Sequence, residues 1–181
     1  MKRQINYREK ITILTNDPSM TAWGWAVVSP DGIVYATGGI KTEPSTKKLN
    51  IRKGDARVRR VKELNYKLLS LIKDYDIDFI LSELPHGSQN ASAAVMIGMV
   101  AGIMQTLSDC FDLGIEWFSE GDCKKAISGK RSLTKGEMIE LINGYYKIDW
   151  TGIKWKDEAV ADAMAVFNLA SQQSEMLKLL R

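Results

Sequence analysis

Cysteine and histidine are scarce in this sequence of 181 residues, which contains two cysteines and one histidine. Cys110 and Cys123 show no CxxC spacing, and a single histidine cannot build a His-rich zinc site. We therefore expect a reducing, cytoplasmic setting, or the host cytoplasm if a phage encodes the chain.

Long apolar runs are also lacking, and no segment approaches the roughly 20 uninterrupted apolar residues that span a bilayer. The first ten residues are polar and charged, which predicts that they are not a secretory signal. With 45% hydrophobic and 26% charged residues, the composition is that of an ordinary globular protein. We expect one domain over residues 1–181, loose tails at 1–10 and 173–181, and no membrane partner.

The formal net charge is only +3, but the basic residues are unevenly distributed. They crowd into residues 41–62, where Glu43 and Asp55 alone oppose them, and into residues 124–135, which contain no acid. One such run is usually solvated surface, whereas two runs in an otherwise acidic chain favour a polyanion partner. The residues expected to bind nucleic acid within the runs are Lys47, Lys48, Arg52, Lys53, Arg57, Arg60, Lys124, Lys125, Lys130, Arg131 and Lys135.

The hydrophobic pattern predicts three strands followed by alternating helices and strands. The predicted strands cover residues 11–17, 23–29, 33–39, 78–83 and 115–118. A Pro-Asp-Gly turn between the second and third strands predicts an antiparallel meander. The predicted helices cover 55–74, with Asp55 as its cap, and then 90–109, 121–127, 135–146 and 157–172. This order predicts an α/β domain of the RNase H-like fold: a mixed five-stranded sheet, three antiparallel then parallel strands, flanked by helices.

Acidic residues end two predicted strands and mark the last helix. Asp17 stands where an apolar strand stops before a proline, a position that an Asx-type turn alone would explain. Glu83 ends a second apolar strand, where a partly buried carboxylate needs a partner. Glu158 and Asp162 share one face of an alanine-rich helix. Carboxylates without histidine suit Mg²⁺ or Mn²⁺, and two such ions about 3.5–4 Å apart promote phosphodiester cleavage.

At these acids the sequence resembles the RuvC family of Holliday-junction resolvases, members of the RNase H-like superfamily, over roughly residues 11–170. The matching motifs are Asn16-Asp17-Pro18-Ser19 with Trp23-Gly24-Trp25, Ser82-Glu83-Leu84-Pro85-His86 with Gln89-Asn90-Ala91, and Asp162-Ala163-Met164-Ala165. Three weak motifs in the family's order make a fairly specific resemblance.

The resemblance implies that Asp17, Glu83 and Asp162 are metal ligands. The family's fourth ligand lies three residues before the last Asp, where this sequence has Ala159. Glu158 or Asp157 could substitute, and Glu158 stays on the Asp162 face of the helix.

The resemblance also gives roles to basic and polar residues around the acids. Lys124 and Lys135 align with lysines that approach the scissile phosphates and stabilise transition-state charge. His86 lies on the loop that contacts an unpaired base at the crossover, together with Gln89 and Asn90. For His86 an exposed loop position without function is an equally open interpretation.

The predicted helix over residues 90–109 is apolar almost all round, which indicates burial on more than one side. One side would face the sheet and the other a second copy of the helix, giving a homodimer that matches the two-fold symmetry of a four-way junction. The alternative is a helix buried wholly within one core.

These expectations combine into a homodimeric crossover junction endodeoxyribonuclease that makes paired nicks in opposed strands. It would use two Mg²⁺ ions per active site, with Mn²⁺ able to substitute. Two alternatives stay open: a nuclease for flaps and other branched DNA, as a phage packaging enzyme might be, and a non-catalytic junction-binding protein, which Ala159 motivates. A sugar-kinase-like ATPase would need a second Gly-rich phosphate motif and a longer chain.

Overall fold

The structure, a computed structural model, describes residues 10–45 and 51–181. Lys47 and Lys48, both predicted to bind nucleic acid, lie outside these ranges, as does most of the predicted tail over residues 1–10.

One five-stranded sheet organises the domain. Its strands are β1 (Ile13–Asp17), β2 (Ala22–Val28), β3 (Val34–Lys41), β4 (Phe79–Leu84) and β5 (Gly114–Ser119). The strands lie in the order β3-β2-β1-β4-β5. The pairs β1–β2 and β2–β3 are antiparallel, whereas β1–β4 and β4–β5 are parallel. The predicted sheet of three antiparallel and then parallel strands is therefore confirmed.

Helices cover both faces of this sheet. The helices are α1 (Lys53–Asp74), α2 (Ala91–Phe111), α3 (Glu120–Ser128), α4 (Lys135–Tyr145), α5 (Lys154–Gln173) and α6 (Glu175–Leu180). Because successive strand residues point to opposite faces, Ile13 enters the core beneath α5, and Leu14 enters the core beneath α1 and α2. Helices α3, α4 and α6 contribute to the α5 side.

Three predicted boundaries are corrected. Helix α1 begins two residues before Asp55, so Asp55 is not its cap. The Asp55 carboxylate lies in the first turn and forms an ion pair with Arg52 at 2.9 Å. Helix α5 begins at Lys154, three residues before the predicted start at residue 157. The predicted loose tail at 173–181 is wrong, because it contains α6, buries Leu177 and ties Arg181 Nε to the Pro30 carbonyl at 3.0 Å.

Helix α2 combines an apolar sequence with an exposed outer face. Asn90 caps it by accepting hydrogen bonds from the amides of Ser92 and Ala93. Its inner face packs on the sheet through Val100, Ile103, Met104 and Leu107. Toward the start of the helix Val95 is 47% exposed, and Cys110 is exposed near the end. The alternative of a helix buried wholly within one core is therefore wrong for the chain by itself.

By length and composition, α2 is the one helix within the described residues that could cross a membrane, with a mean hydropathy of 1.5 and 28% of the apolar window buried. Because glycine and polar residues interrupt its apolar residues, α2 contains no long uninterrupted apolar run. Core helices of globular proteins pass the same test, and the inner face of α2 belongs to the core.

Candidate active site

The carboxyl ends of three neighbouring strands bring acids to one edge of the sheet. Strands β1, β4 and β5 run parallel, and their register places Asn16 beside Ser82 and Glu83 beside Phe118. Asp17 ends β1, Glu83 lies near the end of β4, and Glu120 directly follows β5. Open α/β sheets commonly carry their sites at this edge.

Helix α5 delivers the next acid because it approaches the sheet closely. Gly24 lies opposite Asp17 on β2, and a Cβ atom there would come within 1.8 Å of the Ala159 carbonyl oxygen. Only glycine permits this approach. One turn further along, the Thr15 hydroxyl donates a 2.7 Å hydrogen bond to the Ala163 carbonyl. These two contacts bracket Asp162 and set it against the end of β1.

Buried hydrogen bonds hold the strand ends in place. The Asn16 amide donates to the Leu81 carbonyl at 3.0 Å, and the Ser82 hydroxyl donates to Asn16 Oδ1 at 3.1 Å. Both polar side chains are fully buried, so the network satisfies groups that would otherwise be costly. Each is the immediate neighbour of a predicted metal ligand, and the backbone that carries Asp17 and Glu83 is therefore well defined.

Burial and mutual repulsion perturb the acids at this edge. Burial, with the charge of Asp162 next in size, raises the pKa of Asp17 to about 7. Burial and the charges of Asp17, Glu120 and Asp162 raise the pKa of Glu83 to about 9. The pKa of Asp162 is raised by burial against the opposing effect of Lys135. Such acids favour a nearby cation, and they make this edge the candidate functional site.

Two lysines supply positive charge at the acids, as the sequence predicted. The Lys135 ammonium, at the start of α4, hydrogen-bonds to Asp162. Burial opposes the charge on Lys135, but the carboxylate of Asp162 raises its pKa above the ordinary lysine value. The Lys124 ammonium hydrogen-bonds to Glu120, one turn away on α3.

Glu120 is the acid that the sequence interpretation missed. Its charge raises the pKa of Asp17, Glu83 and Asp162, so it faces the same space as all three. The hydrogen bond from Lys124 lowers its own pKa. A signal was present, because Glu120 directly follows a parallel strand, but the predicted fifth strand stopped at 118 and the next helix was placed from 121.

The structure separates the two candidates for a fourth acid on α5. The Asp157 carboxylate accepts hydrogen bonds from Thr151 N (3.0 Å), Thr151 Oγ1 (2.7 Å) and Gly152 N (2.8 Å). Its buried side chain therefore anchors the turn before α5, which argues against a ligand role. Glu158 is partly exposed, with its carboxylate 4.0 Å from Lys154 Nζ. Ala159, at the family's usual ligand position, is buried against Gly24.

The donor set at the sheet edge consists of carboxylate oxygens, which fit Mg²⁺ or Mn²⁺ better than softer metals. Within residues 10–45 and 51–181, no three acidic, histidine or cysteine side chains are arranged to hold a metal ion. The acids thus share an edge and an electrostatic field without forming a closed cage. Cys123 is buried nearby, and its pKa is raised by burial and by the charges of Glu83 and Asp17.

The prediction that Arg60 binds nucleic acid is wrong. Arg60 is 6% exposed, and its guanidinium donates to Thr42 Oγ1 (2.7 Å), the Met20 carbonyl (2.8 Å) and Thr21 Oγ1 (2.9 Å). Arg60 therefore braces the β1–β2 loop against the end of β3 and presents no surface charge to a phosphate.

The other predicted contacts lie on the surface or near the acids. His86 Nε2 is 3.9 Å from Glu120 Oε2, which places the β4–α2 loop beside the site. Arg57 donates to Ser92 at the start of α2, and Arg131 pairs with Asp122 at 3.2 Å. The remaining predicted residues that are exposed in the described ranges are Arg52, Lys53, Gln89, Asn90, Lys125 and Lys130.

In comparison with known proteins, the chain is similar to crossover junction endodeoxyribonucleases of the RuvC type. It is 24% identical to the crossover junction endodeoxyribonuclease RuvC of Rickettsia conorii, covering 72% of this chain and 79% of that protein. Identity to the RuvC of Parvibaculum lavamentivorans is 25%, covering 86% and 83%. No protein-family model matches.

Solved structures give the same result for the fold. Thermus thermophilus RuvC in complex with a Holliday junction substrate superposes with a TM-score of 0.68 at 16% identity, covering 92% of this chain and 96% of that one. The yeast mitochondrial Holliday junction resolvase gives a TM-score of 0.64 at 12% identity, covering 97% and 83%. The predicted RNase H-like fold of the RuvC type is confirmed.

Proposed function

We propose that this RuvC-like chain is a crossover junction endodeoxyribonuclease that resolves Holliday junctions in a metal-dependent reaction. The observation that carries the proposal is the meeting of Asp17, Glu83 and Asp162 at one sheet edge. Two of these acids end parallel strands, and the Gly24–Ala159 contact brings up the third. The similarity to RuvC proteins in sequence and in fold supports the same activity.

The acids of the sheet edge would hold the metal. Asp17, Glu83 and Asp162 would be ligands, with Glu158 as the α5 acid beside them. The raised pKa values of Asp17 and Glu83 support this assignment, because a bound cation would favour their ionised forms. Two Mg²⁺ ions, for which Mn²⁺ can substitute, would supply the charge that activates water and stabilises the attacking and leaving oxygens.

The two lysines take the role of stabilising phosphate charge. Lys135 is half exposed and hydrogen-bonded to Asp162, so a short movement of its side chain reaches a phosphate lying over the acids. Lys124 lies on the other side, beside Glu120. Positive groups in a partly desolvated site stabilise the charge that develops on phosphoryl oxygens.

The DNA partner would be a four-way junction whose arms lie along the basic surface. Arg52, Lys53 and Arg57 stand at the start of α1, and His86 lies on the loop beside the acids. Contacts of this kind are made to phosphates, so binding should weaken steeply with salt. His86, Gln89 and Asn90 would meet unpaired bases at the crossover.

A homodimer through α2 would match the symmetry of the junction. On the outer face of this helix Ala94, Gly98 and Gly102 follow one another at intervals of four residues, and a Cβ at either glycine would meet nothing within 4 Å. A second α2 could therefore approach closely, related by a two-fold axis. Two active sites so related would nick two opposed strands.

The experiment that tests the function compares wild type with Asp17→Asn on a synthetic immobile junction, with and without Mg²⁺. We expect wild type to nick two opposed strands only with Mg²⁺. Asp17→Asn should bind the junction in a gel-shift assay and lose at least about 10³-fold in cleavage rate, because a ligand of the metal is gone. Asp31→Asn is the matched control, since Asp31 is exposed on the β2–β3 turn at the opposite sheet edge.

Two results would overturn the proposal. Equal cleavage by wild type and Asp17→Asn would remove the active centre from this edge. Binding by wild type without cleavage in Mg²⁺ or Mn²⁺ would favour the non-catalytic junction-binding protein. A panel of four-way, three-way and flap DNAs in the same assay separates a strict resolvase from a nuclease for branched DNA in general.

A further inference from the structure

Glu120 lies among the acids of the sheet edge, where it is hydrogen-bonded to one basic side chain and lies near a second. It is the first residue of α3, directly after β5. One carboxylate oxygen accepts a hydrogen bond from Lys124, and the other is 3.9 Å from His86 Nε2. Its two oxygens therefore face groups from two elements, α3 and the β4–α2 loop.

The pairing with Lys124 differs from an ordinary surface ion pair. Exposed pairs four residues apart on a helix contribute little, because both side chains remain free in water. The Lys124 side chain is only 19% exposed, whereas the neighbouring Lys125 is exposed. Glu120 thus holds a lysine whose side chain is largely covered by protein.

Without Glu120, the Lys124 ammonium would be free to turn toward the other carboxylates of the sheet edge. Its charge lowers the pKa of Asp17, Glu83 and Asp162, so it lies near all three. Attraction would draw it toward them, where it would compete with a metal ion. The bond to Glu120 keeps Lys124 beside the ligands without neutralising them.

We infer that Glu120 is a positioning residue, which acts through Lys124 and holds it at the rim of the acidic edge. The inference rests on the proposed function for its catalytic part. Its structural part, the restraint of Lys124 by Glu120, stands independently of activity.

The structural part is tested by acetylation of lysines in the full-length protein, read by mass spectrometry. In Glu120→Gln the charge-assisted bond is lost, and we expect Lys124 to react at least about threefold faster than in wild type. Lys125 is the internal reference and should be unchanged. Glu140→Gln, an exposed glutamate on α4, is the matched control. Equal reactivity of Lys124 in wild type and Glu120→Gln would refute the restraint.

The catalytic part is tested by single-turnover cleavage of a bound junction. We expect Glu120→Gln to lower the rate about tenfold, since the phosphate-stabilising charge is misplaced, with junction affinity unchanged or tighter because one acid is gone. Adding Glu120→Gln to Lys124→Met should cost no further activity, because one residue acts through the other.

The outcomes distinguish this inference from the proposed function. Wild-type cleavage by Glu120→Gln, or additive losses in the double variant, would overturn the positioning role while leaving the nuclease intact. A wild-type protein that cuts no branched DNA would overturn the proposed function and with it the catalytic part, while the acetylation rates would still decide the restraint. A lower melting temperature of Glu120→Gln without faster acetylation of Lys124 would indicate a merely structural residue.

Discussion

Helices α5 and α2 are both long and rich in small residues, yet they use those residues in opposite ways. In α5 the alanines are buried, and Ala159 lies against Gly24 so closely that a single methyl group would not fit. In α2 the small residues Ala94, Gly98 and Gly102 are exposed, with open space around both glycines. Small residues permit close approach in both helices; in α5 the partner is the sheet, and in α2 we propose a second chain.

Because of this difference, we assign different functions to the two faces of the sheet. We propose that the face beneath α5 carries the chemistry, because a helix that is fixed against the sheet holds Asp162 near Asp17. A much smaller part of helix α2 is buried, and its outer face leaves an apolar surface exposed to solvent. Such surfaces usually mark interaction sites. Each half of the comparison can be tested by substitution.

The largest effect is expected where α5 meets the sheet. Gly24→Ala places a Cβ 1.8 Å from the Ala159 carbonyl oxygen, so α5 must move or β2 must bend. We expect a loss of about 3 kcal/mol or more in the free energy of unfolding, measured by urea denaturation, since overpacking a rigid backbone contact is costly. Junction cleavage should fall as well, because Asp162 moves away from Asp17.

The matched substitution is Gly102→Ala on α2, where an added Cβ meets nothing within 4 Å. It should leave the free energy of unfolding of the monomer unchanged or raise it by up to about 1 kcal/mol, as alanine favours a helix over glycine. Equal destabilisation by both substitutions would contradict the comparison.

A second effect is expected from pH in the metal-free protein. The pKa of Asp17 is raised from 3.8 to about 7 in the folded state, and that of Glu83 from 4.5 to about 9. A carboxyl group with a raised pKa favours folding while protonated, so the stability that it contributes below about pH 4 is lost as the pH rises through these folded values. In EDTA, the melting temperature should therefore fall between pH 5 and pH 8.

Asp17→Asn should reduce this fall and raise the melting temperature at pH 8, although we expect it to abolish cleavage. Mg²⁺ should restore wild-type stability at pH 8 more than it does in Asp17→Asn, because binding to the folded state stabilises it. Asp31→Asn is again the control. A metal-free wild type that is more stable at pH 8 than at pH 5 would argue against the electrostatic account of the edge.

The smallest effect on stability is expected on the outer face of α2. Gly98→Arg adds a charge where the helix meets only solvent within one chain, so the free energy of unfolding of the monomer should change by less than about 1 kcal/mol. Sedimentation should nevertheless show a shift from dimer to monomer, and paired nicking should become single, uncoupled nicking. A Gly98→Arg protein with the sedimentation coefficient of wild type would exclude this face as the interface.

The sequence predicted the features that rest on local patterns. Alternating apolar residues gave the strands, and the Pro-Asp-Gly turn gave the meander. The rule that an acid at the end of an apolar strand is a candidate ligand found Asp17 and Glu83. The same rule would have found Glu120 if the fifth strand had been carried one residue further.

Features that depend on contacts formed only in the folded chain could not be predicted from the sequence. Arg60 belongs to a basic run, and only the fold shows its guanidinium enclosed by Met20, Thr21 and Thr42. The role of Asp157 depends on the turn at 151–152, because its carboxylate accepts hydrogen bonds from the backbone amides of that turn. The hydrogen bond between Thr15 and the Ala163 carbonyl joins residues at opposite ends of the chain, which periodicity cannot reveal.

The two cysteines differ in a way that gives the protein a ready-made spectroscopic handle. Cys123 is buried beneath the acids and stays a protonated thiol, since burial raises its pKa, whereas Cys110 is exposed near the end of α2. A maleimide dye should therefore label Cys110 selectively in the natural sequence. If two chains meet through α2, energy transfer between dyes on the two copies would follow their association in real time, without any engineered residue.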